Sequence, residues 1–124
     1  MRFTLPDGRR FEICDDWWTE AGMDRFERQG DISYRSRYQP TMTLVPLADI
    51  ELPLMTRRLQ LGPFGLDDSR MVKVLREIAR REEIWPVEIV ETESGEYHLK
   101  HGTHRFHASV AAGFSHIPAI VVLP

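Results

Sequence analysis

The stretch that most constrains the fold is His98-Leu99-Lys100-His101-Gly102-Thr103-His104-Arg105-Phe106-His107-Ala108-Ser109, running on through Val110-Ala111-Ala112-Gly113. It reads as the end of a strand, a one-glycine turn and the opening of a helix, with Gly113 as the helix stop. Only glycine enters a left-handed or tightly approached backbone position at no steric cost, so Gly102 marks the corner. Thr103 is expected to cap the helix by accepting from the Phe106 N–H. The first amides of a helix lack internal partners and sit at the positive end of its dipole. Arg105, with its planar fork of donors, and His104 add charge at the same end. A corner built this way favours an anion, and phosphate above all.

Composition places few restrictions on partners but excludes some chemistry. The chain has 124 residues, 42% hydrophobic and 28% charged, with a net charge of −3. That is enough chain for a core without covalent staples. A slightly acidic balance argues against nucleic-acid binding by bulk charge. Cys14 is the lone cysteine, which rules out an internal disulfide and a cysteine zinc site. No apolar run approaches the roughly 20 residues of a membrane helix, and no secretory leader is visible, so a cytoplasmic, membrane-free protein is expected.

Residues 1–42 are expected to form a small appendage. Arg2 to Leu5 and Arg9 to Ile13 flank Pro6-Asp7-Gly8, a hairpin signature. Asp15-Asp16 opens a helix expected to run to Phe26 or Arg28, with Gly22 as its weak point. Trp17, Trp18 and Phe26 are expected to pack on the main unit, with a protein-partner surface as the alternative. Gln29 to Thr41 reads as a loop or arm whose Tyr34, Arg35, Arg37 and Tyr38 lie along the protein's own surface.

Residues 43–124 form the main unit. Thr43 to Glu51 predicts one edge strand, since Pro46 cannot donate to a ladder. Leu52 to Gly65 is loop. Asp67-Asp68-Ser69 opens a helix whose apolar face carries Leu66, Met71, Val74, Leu75, Ile78 and Ala79. Its other face, with Lys73, Arg76, Glu77, Arg80 and Arg81, is expected to be solvated. Trp85-Pro86 ends the helical phase. Val87 to Glu91 and Tyr97 to Lys100 are strands joined by Ser94-Gly95, Thr103 to Ala112 is the second main helix, and Ile117 to Leu123 is a strand expected to be covered on both faces.

From Val45-Pro46-Leu47-Ala48-Asp49-Ile50 onward the sequence resembles the ParB N-terminal domain and sulfiredoxin. The shared features come in order: the "VPLADI" entry, a loop with Pro53 and Arg57, a helix, "WPVEIV", "YHLKHGTHRFHAS" and "AGFSHIPAIVV". The resemblance implies an α+β fold: a ParB/sulfiredoxin-like mixed sheet with two main helices, to which residues 1–42 add a hairpin-helix appendage. It also implies a nucleotide site. Gly102, Thr103, His104 and Arg105 would surround the phosphates of ATP or CTP, brought in with Mg²⁺, and Arg57 would take the place of the arginine of the early loop motif.

The departures narrow the chemistry. Sulfiredoxins place a cysteine where Thr103 stands, so reductase activity is not expected. Free-serine kinases of this superfamily resemble Asp-Gly-His-His-Arg at the corner. Here His101 replaces the catalytic Asp, leaving His101 as the candidate base for a weak hydrolase or phosphotransferase activity. Partition proteins add a helix-turn-helix domain, and this sequence stops after the closing strand, so specific DNA binding is not expected. The alternative to a nucleotide site is a non-enzymatic interaction module, such as a phage or mobile-element regulator, using the N-terminal region. His98, His101, His104 and His107 recur every third residue but straddle a strand, a turn and a helix. With no nearby carboxylate expected to complete a ligand set, no metal site is predicted.

Overall fold

In the computed structural model, which describes residues 1–53 and 66–124, a two-stranded hairpin and a five-stranded mixed sheet share one core with the helices. The expected position of Arg57 lies outside the described residues. The hairpin pairs β1 (Arg2–Thr4) with β2 (Arg10–Glu12), and Gly8 takes the left-handed turn position. The helix that follows is shorter than its aromatic run predicts. α1 covers Asp15–Glu20, Gly22 turns left-handed at φ +85°, and a 3-10 turn at Met23–Arg25 finishes the segment. Glycine's backbone freedom therefore ends the helix rather than weakening it.

The stretch 43–51 is not one strand. β3 (Thr43–Pro46) pairs antiparallel with β7 (His116–Val122). A 3-10 turn at Leu47–Asp49 then leads to β4 (Ile50–Glu51), which pairs parallel with β6 (Tyr97–His101). The strand order is β3-β7-β5-β6-β4, with β5 spanning Val87–Glu91. β3 and β4 thus close opposite edges of the same sheet. Hydropathy along 43–51 looks continuous, and only pairing partners separate the two.

One sheet face carries the core. Val45, Ile117, Ala119, Val87, Ile89 and Leu99 are buried there under α2 (Asp68–Ala79) and α3 (Thr103–Ala111). α2 contributes Met71, Val72, Val74, Leu75 and Ile78 to that core, as its period predicts. The other face is partly open. On that face of β7 Pro118 is buried but Ile120 and Val122 are only half-buried, and Val121, at the far end of the core face, is exposed, so β7 is covered on both faces only over Ile117–Ala119 and not along its whole length as expected. Apolar residues on both sides of a strand do not require two covering layers, because much accessible protein surface is itself apolar.

Residues 1–42 are packed into this core rather than set apart from it. Leu5, Phe11, Ile13, Ala21, Met23 and Tyr34 are all buried. Phe11 meets the His107 ring of α3 edge-on at 4.8 Å, and Phe3 lies 5.5 Å from both Phe11 and Trp18. Trp17 and Trp18 are partly buried against the core.

Candidate functional site

The corner forms where β6 hands the chain to α3. Gly102 is the N-cap of α3, at φ +117°, and Thr103 is the first helical residue. The cap is therefore not Thr103, and no side chain caps the helix; Phe106 N–H closes the first turn on Gly102 O at 2.8 Å. The reason is steric. Gly102 lies so close to Val87 that a Cβ there would fall 2.5 Å from Val87 Cγ1. Only glycine fits, and its position starts the helix one residue early. With no capping side chain, the amides of Thr103, His104 and Arg105 are left at the open end of α3.

Tertiary packing commits two of the corner side chains. His104 Nε2 accepts from the Asp67 N–H at 2.8 Å. Asp67 is the N-cap of α2, and its side chain accepts from the Arg70 N–H. The two helix N-termini are thereby tied together. Arg105 Nη1 donates to the carbonyls of Trp85 and Pro86, at 3.1 and 2.7 Å. His107 faces away, buried, with Nδ1 2.7 Å from Thr103 O.

Between the helix starts and the open sheet face lies a cleft of about 950 Å³. Its lining includes Lys100 to Arg105, as the corner predicts, together with Arg37, Arg70 and Lys73. Arg70 and Lys73 are not legible as site residues in sequence. Arg70 and Lys73 sit on the face of α2 expected to be solvated. Arg76 and Arg81 of the same region pair with Glu20 and Asp31, whereas neither the Arg70 guanidinium nor the Lys73 ammonium forms an ion pair among the described residues. Two carboxylates, Glu77 and Glu88, also line the cleft. The β5–β6 register slips between Glu88 and Ile89, so that His101 rather than Lys100 pairs with Glu88. A bulge at this point re-aims a side chain at the end of a strand, and here it sets His101 beside Glu88.

A second polar group lies away from the corner. Glu51 sits on β4 opposite His98. His98 Nε2 is 3.1 Å from Glu51 and 3.8 Å from Glu96. The expectation that no carboxylate stands near the histidine series is thus overturned. Glu51, Glu96 and His98 present ligand atoms within 4.8 Å of one another, the one such group among the described residues, and all three are exposed. No sequence spacing reveals it, because Glu51 reaches His98 only through the parallel β4–β6 pairing.

Burial holds the His104 imidazole below its ordinary pKa, with the Arg70 charge acting in the same direction and Asp67 opposing it. Burial likewise lowers His107, against the Thr103 carbonyl that favours its charged form. Both rings bind fewer protons folded than unfolded, so stability rises with pH through this range. Their contribution is fully present above the unfolded histidine pKa of about 6.5 and is lost as pH falls through the lower folded values. Urea denaturation is therefore expected to give a smaller unfolding free energy at pH 5.5 than at pH 7.5. In the double variant His104→Gln/His107→Gln that slope should flatten, and an unchanged slope would assign the acid sensitivity to carboxylates instead.

No family model and no curated protein sequence matches the chain. The structure superposes on the crystal structure of sulfiredoxin from Arabidopsis thaliana with a TM-score of 0.55, at 24% identity, covering 68% of this chain and 88% of that one. The chain has a sulfiredoxin-like α+β fold. That likeness is one of architecture: a curled five-stranded mixed sheet with helices packed on it. In this chain Thr103 stands at the corner, and the single cysteine, Cys14, is the N-cap of α1. Among the described residues, no helix is long and apolar enough to cross a membrane.

Proposed function

We propose that the cleft binds a nucleotide through its phosphates. One observation carries this reading. Both helices that open onto the cleft place an arginine three residues after the N-cap: Arg70 after Asp67 and Arg105 after Gly102. Cations are disfavoured at the positive end of a helix dipole. Arg70 and the open amides of α3 place that mismatch at one space, to which Lys73 adds charge from the next turn of α2 and Lys100, bonded to the Leu123 carbonyl, from the end of β6. A polyanion resolves it, and the space is large enough for a whole nucleotide.

Gly102 and Thr103 would meet the phosphate oxygens through backbone amides, with Arg70 and Lys73 facing them from α2. His104 acts as the strut between the helices, and Arg105 anchors the rim. Mg²⁺ would enter bound to the phosphates, and Glu88 is a hard oxygen donor suited to it. His101, beside Glu88, is the base we assign to slow hydrolysis. A water oxygen would bond to the terminal phosphorus, the bridging P–O bond would break, and the water proton would pass to the imidazole. Thr103 takes no covalent part.

Calorimetric titration with ATP and with tripolyphosphate tests the reading. Micromolar-to-millimolar binding is expected, weakening about tenfold or more in Arg70→Ala/Lys73→Ala, as loss of charge-assisted contacts would do. Absence of binding by either ligand, or affinity unchanged in that variant, would overturn it. Hydrolysis, where detected, should fall in His101→Ala without loss of binding.

A further inference from the structure

The cleft has a second end whose chemistry is not that of phosphate. Trp85 lies on its lining and is 53% exposed, although its backbone is held by hydrogen bonds. The Trp85 carbonyl accepts from Arg105 and, at 2.7 Å, from the hydroxyl of buried Tyr34. Pro86 follows it, and Ile84, just before it, is buried and bridged to Ser36. On the same bridge, Arg37 N–H donates to Ile84 O and Ile84 N–H donates to Arg35 O, both at 2.9 Å. That fixes the backbone of Arg37 next to the tryptophan, and its guanidinium carbon stands 5.1 Å from the indole centroid. An indole and a guanidinium, both planar, are therefore mounted on a rigid rim with much of the indole still open to solvent. Burying this indole in the core would satisfy it better than leaving it exposed. The chain instead holds it at the mouth of a cationic cleft.

We propose that Trp85, flanked by Arg37, is a stacking platform for the base of the nucleotide, and that it selects purines. The proposal rests on the phosphate-binding reading above. Arg105 links the two ends, since it belongs to the corner and bonds the Trp85 carbonyl. A base stacks on an aromatic face largely in proportion to the ring area it covers, and aromatic and guanidinium planes both serve this purpose. A fused purine covers more of an indole than a pyrimidine does. The platform therefore favours ATP and GTP over CTP, and any of these purine nucleotides over tripolyphosphate, which carries charge but no ring.

The experiment titrates the full chain with ATP, GTP, CTP and tripolyphosphate, in the wild type, Trp85→Ala and Trp85→Phe. ATP and GTP are expected to bind at least about fivefold more tightly than CTP and about tenfold more tightly than tripolyphosphate. Trp85→Ala should remove that advantage while leaving tripolyphosphate affinity unchanged, and Trp85→Phe should retain most of it. Indole fluorescence should be quenched by ATP but not by tripolyphosphate, and the quenching should disappear in Trp85→Phe. If tripolyphosphate binds as tightly as ATP, if CTP matches the purines, or if the preference survives Trp85→Ala, the platform is overturned while phosphate binding stands. If none of the four ligands binds, the phosphate reading falls and the platform with it. Thermal melts of the variants verify folding, and the unchanged tripolyphosphate affinity is the internal control.

Discussion

Replacing Gly102 by alanine is expected to destabilise the protein by about 3–4 kcal/mol, a large share of the roughly 5–15 kcal/mol that holds a domain of this kind together. Two costs combine. At φ +117° an L-residue is strained by about 1–2 kcal/mol. The new Cβ would also stand 2.5 Å from Val87 Cγ1 and 2.9 Å from Val87 Cβ. Val87 is fully buried in the central strand of the sheet, so relief requires β5 or the start of α3 to move. Overpacking of that kind adds about 1–3 kcal/mol. Gly95→Ala separates the two terms. Gly95 has φ +84° with open space around it, so alanine there should cost only the backbone strain. Urea denaturation of both variants decides the matter. If Gly102→Ala is no worse than Gly95→Ala, the close approach of the corner to β5 is not what determines its shape. Because any shift would displace the α3 amides, the proposed nucleotide binding should weaken along with stability.

Phe11→Ala is expected to cost about 3–5 kcal/mol, the usual range for truncating a buried phenylalanine. Phe11 is 1% exposed, stacks on Phe3 and meets His107 of α3 edge-on. Its loss empties a space between the N-terminal hairpin and the helix that begins at the corner. Two outcomes can be told apart. If residues 1–42 melt with the rest, one cooperative transition should shift down by roughly 10 °C or more. If they are an independent addition, circular dichroism should show a small early transition, with the main one left in place. The packing of Phe11, Ile13 and Met23 in the same core as Leu75 and Ile89 predicts the first.

The geometry of the cleft also explains why a likeness to sulfiredoxin need not bring sulfiredoxin chemistry. An anion site at a helix start is made from backbone amides and nearby cations, and it tolerates many residues at the positions around it. With Thr103 in the corner, the proposed role is recognition of phosphate, with the slow hydrolysis proposed for His101.

By itself, the sequence determined the local features of this protein. The Pro6-Asp7-Gly8 turn, the Asp67 cap, the amphipathic period of α2, and the glycines at 102 and 113 are legible because turns, caps and helical faces depend on residues within a few positions of one another. The strand-glycine-helix corner follows from these, and the α+β class was implied by the family resemblance of the segments in order. Only the tertiary structure decided which residues surround that corner. Arg70 and Lys73 look like an ordinary solvated helix face until α2 is docked beside α3 through Asp67 and His104. Thr103 reads as a cap until Val87 is seen to press on Gly102. The run from Thr43 to Glu51 reads as one strand until its halves are seen on opposite sheet edges, bringing Glu51 to His98. In each case the deciding contact joins residues far apart in sequence. Such contacts are set by which apolar faces can bury one another, and no local period of the chain encodes them.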